Sequence, residues 1–148
     1  MSKCVKTILL VEDNPDDEEL ARLAFAENRL DGELVVMRDG QEALDYLLAA
    51  GEYAGRDANE QPRLVLLDLN IPKISGLEVL RRIRADERTR LQPVVVLTSS
   101  KEERDLVASY SLGANSYIRK PLDYGSFVEA VHSVSQYWLT LNESVQSC

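Results

Sequence analysis

The chain has 148 residues, 45% of them hydrophobic and 28% charged, and carries a net charge of −8 at neutral pH. That length suits one domain with a full apolar core, and the balance excludes disordered and membrane-spanning classes. The negative sign argues against gathering a phosphate backbone, so direct nucleic-acid binding is not expected.

In chain order, Met1-Ser2-Lys3-Cys4 lacks the apolar stretch of a secretory signal, so a cytoplasmic protein is expected. Cys4 and Cys148 are then expected to be unlinked thiols in a reducing compartment. Short apolar runs at Thr7–Val11, Glu33–Met37, Leu64–Leu67, Pro93–Leu97 and Ser116–Ile118 read as strands of a buried parallel sheet. None is long enough to cross a bilayer.

Helical patterns with start signals lie between the strands. Asn14 before Pro15 reads as a cap followed by proline at the first helical position. Asp39 with Glu42, Ser75 with Glu78, Ser100 with Glu103 and Ser126 with Glu129 have or approximate the capping-box spacing. Gly113 after Leu112 reads as the end of the fourth helix. Residues 51–63 hold glycines, Asn59, Pro62 and charges, and read as a surface loop. In the last helix Phe127, Val131, Val134, Trp138 and Leu141 form one stripe. Five β–α units predict a parallel sheet with helices on both faces. The whole chain, 1–148, is expected to be one domain, with a core of about 5–135 and an extended helix and tail at 136–148.

The residues after the apolar runs do not belong in a core. Glu12 and Asp13 follow the first run, Asp68 the third, Thr98 the fourth, and Lys120-Pro121 the fifth. In an open parallel sheet these positions converge at the carboxyl edge, where ligands bind. Glu12, Asp13 and Asp68 together repel one another unless a cation compensates them. All-oxygen ligands suit a hard ion such as Mg²⁺. Lys120 adds a mobile positive charge, and Thr98 a hydroxyl. The set fits phosphoryl transfer to a carboxylate nucleophile, Asp68. Taken singly the residues say less: Asp68 suits a solvated charge, Thr98 an ordinary strand and Tyr117 plain packing. His132, the only histidine, reads as a surface or packing residue inside the last helix.

The blocks ILLVEDN, LVLLDLNIP, SGLEVLRRIR, PVVVLTSS and GANSYIRKP resemble, in order, the signature blocks of response-regulator receivers. The DLN-IP turn and the loop at 51–63 resemble the small receivers that partner cyanobacterial phytochromes. The resemblance implies an α/β, flavodoxin-like, doubly wound sheet of five parallel strands in the order 2-1-3-4-5, with five helices. It implies Asp68 as phosphoacceptor and Glu12 and Asp13, together with the backbone carbonyl of Asn70, as holders of Mg²⁺ beside it. It assigns Thr98 and Lys120 to the phosphoryl oxygens and Tyr117 to the aromatic position that reorients. It also implies a cis Lys120–Pro121 peptide. The partner would be a histidine kinase, of phytochrome type on the narrower resemblance. Ser75 stands where the family often has Asp, and serine also caps a helix.

Other readings fit less well. A phosphatase of the haloacid-dehalogenase type wants a second carboxylate two residues after the nucleophile, where this chain has Asn70. A flavodoxin-like FMN module needs a glycine- and hydroxyl-rich loop after the first strand, where Glu12 and Asp13 would repel a phosphate. A receiver that never phosphorylates loses support because no expected position is missing, while a shuttle in a multistep relay stays open. With the chain ending soon after the fifth helix, output is expected through surface change and not through separate catalysis. Tyr137, Trp138 and Leu139 cannot all face one core, so a homodimer through the fourth and fifth helices is expected.

Overall fold

The computed structural model describes residues 5–27 and 30–145, so the expectation for Cys4 and Cys148 falls outside the described residues. Its strands are β1 (Thr7–Val11), β2 (Glu33–Met37), β3 (Leu64–Leu67), β4 (Val94–Thr98) and β5 (Ser116–Arg119). All pairings are parallel, and the order is β2-β1-β3-β4-β5. The helices are α1 (Pro15–Glu27), α2 (Gly40–Leu48), α3 (Gly76–Ala85), α4 (Glu103–Ser111) and α5 (Tyr124–Gln136). The doubly wound sheet expected from the sequence is the observed one.

Successive strand residues point to opposite faces, which makes two apolar layers. Leu9 and Val11 of β1 join Leu44 and Leu47 of α2 and Leu80 and Ile83 of α3. Ile8 and Leu10 join Ala21 and Ala24 of α1 and Phe127 and Val131 of α5. The first and last helices therefore lie side by side on one face.

Three helix starts follow the expected chemistry. Asn14 Oδ1 accepts from the amides of Asp16 and Asp17, Asp39 Oδ1 from Glu42, and Ser75 Oγ from Glu78. Two do not. The cap of α5 is Asp123, which accepts from the Ser126 amide at 2.9 Å, so the helix begins before Ser126. The cap position of α4 is Glu102, with no side-chain bond; Ser100 accepts from the Glu102 amide instead. Gly113, at φ +98°, ends α4 as expected. Its amide donates to Tyr110 and the Ala114 amide to Ser109, a Schellman pair.

Four details differ from expectation. β4 begins at Val94 because Pro93 has no amide to give the ladder, although its carbonyl accepts from Val65. The Lys120–Pro121 peptide is trans, the isomer that X–Pro bonds favour by about 0.5–1 kcal/mol. The apolar stripe of α5 does not reach Leu141. A π-helical turn at Tyr137–Leu141 carries the Tyr137 carbonyl to the Asn142 amide, and the slower pitch buries Leu139 and exposes Leu141. Finally, β5 runs one residue past Ile118, because Arg119 still pairs with Thr98. The 51–63 segment is the expected surface loop, and it is tied down. Arg56 lies 4.0 Å over the Tyr46 ring and donates to the Tyr46 carbonyl, and Tyr53 packs edge-on against the same ring.

Candidate functional site

The carboxyl edge of the sheet gathers the acidic residues. The Glu12 amide extends the β1 ladder by donating to Met37, which holds its side chain inside the protein at 1% exposure. Asp13 is exposed. The Asp68 amide likewise donates to Val11 at 3.1 Å, so the residue after β3 is fixed by the sheet beside it. Asp68 Oδ1 accepts from the Asn70 amide at 3.2 Å, and the Gly76 amide closes the following loop on Leu69. Across β4, the Lys120 amide donates to Thr98 at 2.8 Å.

From there the Lys120 ammonium reaches three carboxylates. It donates to Glu12 Oε1 at 2.6 Å, Asp17 Oδ2 at 2.8 Å and Asp68 Oδ2 at 3.0 Å. An ammonium has three donors, and all three are used. Burial pushes the Glu12 carboxyl up to about 7, and the bond from Lys120 offsets only part of that. Burial works against the Lys120 charge, yet its bonds to Asp17 and Glu12 and the charge of Asp68 hold it above the usual lysine range.

Glu12, Asp13 and Asp68 each present an oxygen, and these oxygens lie within 4.8 Å of one another. Three hard anionic donors on one open edge fit a divalent cation that keeps several waters. Asn70 lines the same cleft, with Asn14, Ser99 and Leu122. Thr98 is buried at the end of β4, and its hydroxyl accepts from the Ser100 amide at 3.3 Å. Tyr117 is not drawn to the acidic cluster. Its hydroxyl donates to the Ser100 carbonyl at 3.4 Å, so Thr98 and Tyr117 meet through Ser100. His132 is half-buried on α5 and does not line the cleft.

Asp17 escaped the reading of the sequence. Its signal is weak: it is the third residue after the Asn14 cap, a position where acids are common for helical reasons alone. Only the fold brings it to Lys120. Ser100, read there as a cap, serves instead as a junction.

Comparison with known proteins gives the same outline. Residues 8–132 match the response regulator receiver domain. The chain is 45% identical over 137 residues to the probable methanogenesis regulatory protein FilR2 of Methanothrix harundinacea, covering 93% of this chain and 86% of that one. It is 40% identical to response regulator Rcp1 of Synechocystis, covering 90% and 89%. The Mn²⁺-bound structure of Rcp1 superposes with a TM-score of 0.86 at 38% identity, over 93% of this chain and 97% of that one. The phosphorylated cyanobacterial phytochrome response regulator RcpA superposes at 0.87 with 41% identity, over 94% and 97%.

Proposed function

The chain belongs to the response regulator receiver family, and from that premise we propose that it is a switch whose Asp68 accepts a phosphoryl group from a kinase histidine. The observation that carries this reading is the meeting of Lys120 with the acidic cluster on the Asp68 carboxylate. In the transfer an Asp68 oxygen forms a bond to phosphorus while the bond from phosphorus to the imidazole nitrogen breaks. The electron pair of that bond leaves with the imidazole. Lys120 supplies positive charge to the phosphoryl oxygens, and Thr98 a hydroxyl donor. Glu12, Asp13, Asp68 and the Asn70 carbonyl would hold the cation, Mg²⁺ in this reading, which when bound neutralises those oxygens.

A phytochrome-type histidine kinase is the donor we favour, because RcpA, 41% identical, is a cyanobacterial phytochrome response regulator. Residues 1–148 act as one receiver domain that turns over no separate substrate and signals by surface change, in the cytoplasm where kinases reside. No helix among the described residues is long and apolar enough to cross a membrane. Treatment with acetyl phosphate followed by intact-mass measurement tests the assignment. One phosphate should add, EDTA should prevent it, and Asp68→Asn should abolish it; an adduct that survives in Asp68→Asn refutes Asp68 as acceptor.

A further inference from the structure

The three bonds of Lys120 differ in what it costs to break them. A phosphoryl group on Asp68 brings new anionic oxygens within reach of an ammonium whose donors are already committed. The donor now on Asp68 Oδ2 can pass to them directly, and drawing in a second donor releases Glu12 or Asp17. The Glu12 side chain is 1% exposed, and stripping a buried carboxylate of its partner is heavily penalised. The Asp17 side chain is 21% exposed, so water can take the place of the ammonium there.

We propose that Asp17 is the acceptor Lys120 surrenders when Asp68 is phosphorylated, a positioning residue that holds the resting state and ties the first turn of α1 to the site. The inference rests on Asp68 being the phosphoacceptor. A contact made in one state only biases the equilibrium toward that state. Asp17 therefore weighs against the phosphorylated form, and removing it favours that form.

Beryllofluoride, a non-covalent mimic of the phosphoryl group, reads this balance at equilibrium when titrated with Mg²⁺ and followed by backbone-amide NMR. Asp17→Ala should bind it about five-fold more tightly than wild type, the scale of one charge-assisted bond discounted for partial exposure. Asp17→Asn keeps an acceptor oxygen without the charge and should fall between the two. Asp16→Asn removes the same charge one residue away and should shift affinity less than about two-fold. In a Lys120→Ala background the effect of Asp17→Ala should vanish, which a merely structural role would not produce. In wild type the Asp17 amide should move on saturation. Equal or weaker binding by Asp17→Ala, or a gain matched by Asp16→Asn, overturns the inference alone. Failure of wild type to take beryllofluoride overturns both the phosphoacceptor reading and the inference.

Discussion

A methyl group added at Gly76 would lie 2.3 Å from the Asp68 carbonyl oxygen and 2.6 Å from the Leu69 Cα. Both obstacles are backbone, so Gly76→Ala has to push on the peptide that carries the acceptor. Overpacking of this kind costs about 1–3 kcal/mol. Urea unfolding should register a loss of that order, and the phosphate adduct should form more slowly. Gly55→Ala, which meets nothing within 4 Å, serves as the control and should change neither. Glu12 gives a second prediction at this scale. Its proton leaves near 4.5 in the unfolded chain and near 7 in the fold. The stability it contributes is thus complete below 4.5 and is lost as pH rises through 7. Cation binding requires the ionised form, so Mg²⁺ affinity should rise with pH. One pH unit below its folded pKa about a tenth of Glu12 is ionised, so calorimetry should find binding up to about tenfold weaker at pH 6 than at pH 8. A pH-independent affinity would remove Glu12 from the site.

Among the elements, α4 is wired to the site through Ser100. Ser100 receives Tyr117 on its carbonyl, gives its amide to Thr98, and donates its hydroxyl to Asp105 at 2.6 Å in the first turn of α4. With no side-chain cap at Glu102, that bond and the Glu102 amide's bond to Ser100 Oγ help hold this end of the helix. Asp105→Ala should therefore speed hydrogen exchange in the first turn of α4 while leaving adduct formation unchanged. Thr98→Ala and Tyr117→Ala should likewise still be phosphorylated but lose phosphorylation-dependent changes in α4 exchange. Much of the fold was legible in advance. β1, β2 and β3 have the bounds their apolar runs predict, and Asn14, Asp39 and Ser75 cap where expected. Spacing failed at Ser126 because Asp123 offers a cap three residues earlier, and spacing does not say which residue adopts the extended backbone. The π turn was hidden for a related reason. A stripe assumes constant pitch, and Leu139 found its place against Gly32 only by breaking it. Asp17 and the junction at Ser100 depend on contacts between distant segments, which local pattern does not encode.

At the scale of the whole molecule, the sheet separates two apolar layers and gathers the acidic residues at one edge. Leu122, the most exposed large apolar side chain, lines the cleft, and others stand away from it on α4 and beyond α5. Leu106, Val107 and Tyr110 of α4 are open to solvent, as are Tyr137 and Leu141 beyond α5, while Trp138 is half-buried against the core. These surfaces support the homodimer we propose through α4 and α5. Light scattering over a range of concentrations should show the mass approaching twice that of the chain, with Trp138→Ala shifting it toward the monomer. Monomers at high concentration, with and without beryllofluoride, would refute it. The pairing of α1 with α5 has a consequence for synthesis. The chain leaves the ribosome from its N-terminus, yet the face formed by Ile8, Leu10, Ala21 and Ala24 is covered by Phe127, Val131 and Leu139. Roughly a hundred residues separate the end of α1 from the start of α5, which at about 5–20 residues per second leaves the nascent face bare for several seconds. β1 to β3 can assemble early with α2 and α3 shielding the other face, but this one waits for the last helix. A ribosome stalled before Tyr124 would hold an intermediate that general chaperones should recognise by that bare layer.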